Sequence, residues 1–260
     1  MTNGGGCWIG IAAALSLGAS GAAHAAVEIQ LYTSQAAFLE RLATETVHVV
    51  GFDDVETLAD ATSFTPFASD RYLASDGIAI VGSDGQYASQ GFVWSYEFVP
   101  VSAPNTYAPG PIAAVDAPAG SGGHDTDVLP GGVAGAGRLS AFGCWFIDAD
   151  YPNLGASGFS VYGAGDAYLG GTGVVSGPNA SQLFAGVVAV DTDTQQLAPV
   201  ITRVHIVNGS GWPTVDAGEG VVLDDFTFPT PVPEPAAAPL AALGALAGCA
   251  RRARGKMAAS

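Results

Sequence analysis

Five stretches rich in β-branched and aromatic residues, 139–147, 158–163, 183–190, 201–207 and 221–228, follow one another with no helical periodicity between them. A parallel sheet needs a crossover of a dozen or more residues, usually a helix, between successive strands, so this order disfavours βαβ units. An antiparallel arrangement remains, and the predicted fold class is all-β, an antiparallel β-sandwich with one short N-terminal helix. That helix starts at Thr33 or Ser34, which can cap it, and runs to about Leu42, with Phe38 and Leu42 as an i, i+4 apolar pair. Residues 27–32 precede it as a first strand, 47–52 read as an inner strand apolar on both faces, and 78–81 lie between two glycine-bearing turns. An aromatic strand is expected at 92–99, and the proline- and glycine-broken stretch 100–137 reads as one long loop.

The two ends do not belong to this pattern. Residues 1–26 carry no charged side chain, an apolar stretch at 7–19 and a small-x-small sequence, Ala23-His24-Ala25, which together read as a secretory signal peptide. At the other end Pro231-Val232-Pro233-Glu234-Pro235 reads as an extended spacer that cannot join a sheet. A small-apolar run, 236–250, follows it, and then the cationic cluster Arg251, Arg252, Arg254 and Lys256. Fifteen residues make a helix of roughly 22 Å, shorter than the roughly 30 Å hydrocarbon core, which suits transient insertion with the cations held on the cytoplasmic side. The domain organisation expected is therefore a signal peptide at 1–26, a β-sandwich at 27–230 and a sorting segment at 231–260.

This tail resembles the PEP-CTERM sorting signal of bacterial envelope proteins, with Val232, Pro233, Glu234 and Pro235 at the motif position and Arg251, Arg252 and Arg254 as the membrane stop. The resemblance implies export by Sec-type machinery and processing by an exosortase-type enzyme. It also implies a mature protein in the cell envelope or outside the cell. The body is similar to uncharacterised domains that such proteins carry, through Gly51-Phe52-Asp53-Asp54, Pro104-Asn105-Thr106, Leu139-Ser140-Ala141-Phe142-Gly143 and Leu223-Asp224-Asp225-Phe226-Thr227-Phe228. Those domains are jelly-roll-like, similar in outline to lectins and carbohydrate-binding modules.

Between the two end segments stand 23 acidic residues against 4 basic ones, all arginine. Such a surface repels phosphate backbones, which excludes nucleic acid as a partner and makes cations the natural counterpart. Cys144 is the one cysteine of the body, in the apolar context Gly143-Cys144-Trp145-Phe146, and reads as a small core residue. Trp145 and Phe146 read as core beside it.

The acidic doublets Asp53-Asp54 and Asp224-Asp225 would meet if the strands that carry them were neighbours. Clustered carboxylates repel unless a cation or protons neutralise them, and oxygen-only ligands suit Ca²⁺, so Asp53, Asp54 and Asp225 form the candidate calcium site. The alternative is that one carboxylate of each doublet caps a turn and the other stands in water. Three Asp-x-Asp pairs, at Asp125 and Asp127, Asp148 and Asp150, and Asp191 and Asp193, read as solvated turns, and His48 and His205 have no sequence reason to join His124. No nucleophile elbow or sandwich-glycosidase glutamate pattern occurs, so no catalytic residue is assigned. Loop aromatics that could stack on sugar rings point to Tyr107, Asp127, Trp212 and Asp216 as ligand-binding candidates, with extracellular polysaccharide as partner. Three functions stay open: a glycan-binding or structural matrix protein, a glycosidase-like hydrolase on the same sandwich, and a passive matrix protein without a small ligand.

Overall fold

The computed structural model describes residues 26–57, 65–83, 85–89, 100–102, 104–108, 124–133, 135–147, 149, 157–178, 181–208 and 221–233. In chain order the strands are β1 (Val27–Tyr32), β2 (Val47–Val50), β3 (Thr65–Pro66), β4 (Ile78–Gly82), β5 (Tyr87–Ser89), β6 (Thr106–Ala108), β7 (His124–Pro130) and β8 (Gly137–Arg138). They continue as β9 (Ala141–Ile147), β10 (Ser157–Tyr162), β11 (Tyr168–Gly171), β12 (Gln182–Asp191), β13 (Arg203–Asn208), β14 (Val222–Pro229) and β15 (Val232–Pro233). Helix α1 (Gln35–Arg41) follows β1, and a single helical turn, α2 (Leu73–Asp76), precedes β4.

Two antiparallel sheets form the sandwich. One has the order β1-β12-β9-β14-β6-β5-β3 with β2 also paired to β14, and the other the order β11-β10-β13-β7-β4. Alternation explains the layering. On β9, Phe142, Cys144 and Phe146 enter the core between the sheets, while Ala141 and Trp145 point to the opposite face. On β13, Val204 and Ile206 turn inward, and Arg203 and His205 outward. The core is strongly aromatic: Phe226 packs on Phe52, Tyr107 and Phe142 with ring centroids 5.1, 5.5 and 5.4 Å apart. Cys144 is fully buried, and burial pushes its thiol up well beyond the ordinary cysteine range, as expected of a core residue.

Helix α1 is capped where the sequence places it, with the Ser34 side chain accepting from the Ala37 N–H at 3.4 Å. It closes the outer face of the larger sheet, where Phe38 and Leu42 cover Phe184, Val188 and Val190.

Four expectations need correction. Residues 100–137 are not one loop, because β6 and β7 lie within them. On β7, Thr126 and Val128 are buried while Asp125, Asp127 and Leu129 are partly exposed, a period-2 pattern masked in the sequence by its aspartates. Strand β2 is not an inner strand: among the described residues it pairs with β14 alone, and Val49 is exposed. Pro231-Val232-Pro233 is not wholly a free spacer. Val232 and Pro233 pair with Arg138 and Gly137, a two-residue ladder short enough to tolerate the missing proline donor, and Pro231 packs on Gly77, whose φ of 75° closes α2. Trp145 is half-buried on the outer face rather than in the core. The signal-peptide residues up to Ala25, the strand at 92–99, Asp148, Asp150 and everything after Pro233 lie outside the described residues. Among the described residues no helix is long and apolar enough to cross a membrane.

Candidate functional site

The pairing of β2 with β14 sets Val50 opposite Phe226, and this brings the two acidic doublets together. On β14 the alternation breaks at the second doublet: Asp224 pairs with Trp145 and Thr227 with Gly143, so three steps on β14 match two on β9. The extra residue is a β-bulge, with Asp225 at φ 47°. Across from it, Phe52 also has a positive φ, 62°, which turns the chain out of β2 and directs Asp53 back toward the bulge. Two non-glycine residues in the left-handed region at one place are costly, and the aromatic packing of Phe52 and Phe226 holds them there.

Each carboxylate of the four then has a distinct environment. Asp224 is fully buried; its Oδ2 accepts from the backbone N–H groups of Val101 and Ser102 at 2.8 and 3.0 Å, and its Oδ1 accepts from the N–H of Asp225 at 2.8 Å. Burial first, and the charge of Asp225 second, push its carboxyl up to about 7 against the pull of those amides. Asp53 Oδ1 accepts from the Asn105 N–H at 2.9 Å, while the Asn105 amide donates to the carbonyls of Phe52 and Val55, both at 2.8 Å, and so clamps the turn that carries Asp53. Asp225 is almost wholly buried, and its Oδ1 has no hydrogen-bond partner among the described residues. Burial raises its carboxyl against a hydrogen bond from the Ser102 side chain, and the nearby charge of Asp53 adds to the rise. A methyl group built on Gly51 would lie 2.6, 3.1 and 3.4 Å from Ser102 Oγ, Asp225 Oδ1 and Asp53 Oδ2, so three oxygens converge over that glycine.

Asp54, expected among the calcium ligands, faces away from this group. It accepts from Arg71 Nε at 3.0 Å and from the Tyr72 hydroxyl at 2.7 Å, because one of the body's four arginines stands beside it. Among the described residues no group of three or more histidine, cysteine or acidic side chains is arranged as a metal site. The carboxylates left together at this corner are those of Asp53, Asp224 and Asp225.

Of the ligand-binding residues expected from sequence, Tyr107 is a core side chain at 0% exposure, its hydroxyl 2.9 Å from that of Thr126, and is not available to a ligand. Trp212 and Asp216 lie outside the described residues. Asp127 does lie on a surface, the outer face of the smaller sheet, where strand pairing sets it opposite His205. There His205 Nδ1 lies 2.9 Å from Asp127 Oδ1 and Nε2 lies 3.7 Å from Asp125, while Arg203 reaches Asp127 and Asp166, both at 3.2 Å, and covers the Tyr162 ring. Asp125 and Asp127 are thus strand residues and not turn residues, and His205 joins them after all. Asp191 does form a turn, accepting from the N–H groups of Asp193 and Thr194, and these bonds hold its carboxyl below the usual range.

A ligand-sized cleft of about 690 Å³ lies elsewhere, at the corner where β1, the start of α1 and β12 meet the chain leaving β11. Tyr32, Phe38, Phe184 and Trp145 form a continuous aromatic row there, with successive ring centroids 6.0, 5.4 and 5.5 Å apart; all but Phe38 line the cleft. Its described lining holds no Asp, Glu, His, Lys or Arg. Sequence reasoning missed it because Trp145 sits in an apolar run and reads as core, although strict alternation from Phe142, Cys144 and Phe146 would have turned it outward.

No family model matches the chain, and no curated protein does. Among solved structures, an arabinose-bound GH51 α-L-arabinofuranosidase aligns with 69% of this chain and 25% of its own at 14% identity and a TM-score of 0.37. The chain thus spans about a quarter of that enzyme's length. The K2 cleaved adhesin domain of Lys-gingipain aligns over 70% of this chain and 99% of its own at 12% identity and a TM-score of 0.33. Likenesses this slight carry no assignment of activity or ligand.

Proposed function

We propose that this chain is an exported envelope or extracellular-matrix protein of the PEP-CTERM kind that works without catalysis, as a glycan-binding or structural component of extracellular polysaccharide. On this reading Sec-type machinery exports it, the tail enters the inner membrane transiently, and an exosortase-type enzyme acts at the segment that begins with Val232 and Pro233. The observation that carries the non-catalytic part is the ligand-sized cleft with no Asp, Glu, His, Lys or Arg in its described lining. Glycoside hydrolysis ordinarily needs two carboxyl groups at the scissile bond, and a lining without them supports binding over turnover. The test is co-sedimentation of the full chain with extracellular polysaccharide from a producing culture, together with an assay for new reducing ends. Bound protein and no new reducing ends are expected. Reducing ends that disappear on a single Asp substitution would establish the hydrolase instead, and protein left wholly in the supernatant would favour the passive matrix protein.

Calcium is the cofactor this reading includes. The buried Asp225 Oδ1, without a hydrogen-bond partner and beside Asp53, suits a hard cation, and Asp53 itself borders a hollow of about 320 Å³. Calcium at about 100 times its Kd is expected to raise the melting temperature by about 5–10 °C. EDTA should remove the gain, Asp225→Asn should abolish it, and Asp54→Asn should leave it in place. A melting temperature indifferent to calcium and chelator would dismiss the metal.

A further inference from the structure

The chain enters the sandwich at Ala26 and leaves it at Pro233 on the same end. Val27 stands opposite Asp191, and the Ala26 carbonyl accepts from the Thr192 N–H at 2.9 Å, so β1 starts beside the last residue of β12. Strand β9 starts at that end too, with Ala141 opposite Val188, and only Leu139 and Ser140 separate it from β8. The pairing of Val232 and Pro233 with Arg138 and Gly137 therefore places the outgoing chain there.

This exit is fixed to the body. The Thr230 N–H donates to the Thr46 carbonyl at 2.9 Å, the Thr230 hydroxyl lies 3.0 Å from His48 Nε2, and a methyl group built on Gly77 would lie 3.1 Å from Pro231 Cγ. Glu234 and Pro235 alone then separate Pro233 from the apolar run 236–250, three residue steps that span at most about 11 Å. A run that enters a bilayer on so short a link brings this end of the body to the membrane surface.

The surface at the exit suits that contact. Strand β15 is antiparallel to β8, so from Val232 to Pro233 the chain advances from Arg138 toward Gly137, the side of the loop that joins β7 to β8. That loop is held compact by the Gly132 N–H on the Leu129 carbonyl and the Ala136 N–H on the Val133 carbonyl, both at 3.1 Å. Val133, 62% exposed, is the most exposed of the larger aliphatic side chains among the described residues, and the sequence from 128 to 137 carries no charge. Anionic headgroups repel the body's surplus of carboxylates but not an uncharged, glycine-rich loop that presents a valine. Asp76, next to Gly77, is engaged by His48 Nδ1 at 3.0 Å. Asp193, exposed on the turn after β12, keeps the contact on the loop's side of this end.

We infer that the body docks on the lipid bilayer through this end for as long as the tail is inserted, with loop 131–137 against the headgroups and Val133 at the interface. The inference rests on the tail insertion proposed above and gives the docked body an orientation.

The test reconstitutes the full chain in vesicles of phosphatidylethanolamine and phosphatidylglycerol and carries one nitroxide at a time on an introduced cysteine. Cys7 and Cys249 are replaced by serine, and Cys144, fully buried, stays. Leu243→Cys reports on the tail, and Val133→Cys and Ala136→Cys, both at exposed positions, report on the loop. Val174→Cys is the control: 56% exposed, it adjoins Val175, which bridges Ser157 opposite Asn208, and Asn208 also faces His124 at the end of β7 away from the loop. Melting temperatures establish which labelled chains fold, and either loop label suffices. Collision with oxygen, which partitions into lipid, is compared with collision with a water-soluble nickel chelate. Position 243 is expected to meet oxygen, the loop positions to lose access to the chelate, and position 174 to keep it. A loop as open to the chelate as position 174, with 243 in lipid, would overturn the docked orientation and leave the tail insertion standing. Shielding of 174 with an open loop would place the opposite end on the membrane and overturn it equally. A chelate-accessible 243 would overturn both the orientation and the insertion on which it rests.

Discussion

Alanine in place of Asp224 is expected to cost on the order of 4 kcal/mol of folding stability, read as a fall of about 10 °C in melting temperature. The side chain is fully buried and accepts three backbone N–H groups, from Val101, Ser102 and Asp225, with the Ser102 hydroxyl 3.3 Å from Oδ1. Removing it leaves these part-buried donors and the buried Asp225 N–H without their acceptor. It also frees the 100–102 segment, which those bonds tie to the bulge beside Asp225. The same residue sets a pH dependence, measured with chelator present so that no cation intervenes. Its carboxyl is raised by burial to about 7 in the folded protein, so the native state holds the proton more tightly than the unfolded chain does. Its contribution is complete below the unfolded value near 4 and is lost as pH rises to about 7. Asp225 is raised as well and adds in the same direction. Unfolding by denaturant should therefore show stability falling between about pH 4 and 7, with a shallower fall in Asp224→Asn.

The second large effect is expected at Phe226. Its ring touches Phe52, Tyr107 and Phe142, residues from β2's exit, β6 and β9, so one side chain joins the aromatic core at its centre. Phe226→Ala should cost about 3–5 kcal/mol through lost burial and the cavity left behind. It should do more than that. The positive φ of Phe52 and of Asp225 is held by this packing, so the variant should also weaken the calcium binding proposed for Asp53 and Asp225. Phe159→Ala, at a buried ring packed on Phe142 but remote from the bulge, serves as the control. It should lose stability and keep the calcium response of the folded protein. Equal calcium affinity in both variants would separate the aromatic core from the acidic corner.

Where alternation and propensity act alone, the sequence was a sufficient guide. The capped helix after Ser34, the five strands β9, β10, β12, β13 and β14, and the antiparallel pairing were all legible, because β-branched residues at period 2 and the absence of crossover helices admit little else. The exceptions have local causes. Strand β7 was hidden because its outward positions are aspartates, which read as turn formers until Arg203 and His205 on the neighbouring strand account for them. Tyr107 looked like a loop aromatic since Pro104 and Pro109 closely flank the three residues of β6, and only the sheet shows it in the core. At the acidic corner, the meeting of the doublets was legible from adjacent strands, but their division was not. A bulge inserts one residue and turns Asp225 to the interior, and no sequence pattern announces it. The same holds for the role of Asn105, whose three hydrogen bonds to the 52–55 turn depend on long-range pairing. Trp145 was the costliest misreading: its neighbours Cys144 and Phe146 are core, and the residue between them in a strand faces the other way.

The account depends most on the body being an exported cargo trimmed at both ends. Intact-mass spectrometry of the protein isolated from the cell envelope and medium of its native host measures this directly. A mature chain that begins near Ala26 and ends near Glu234 is the expected result. A chain recovered from the cytosol with both end segments, 1–26 and 231–260, uncut would contradict it.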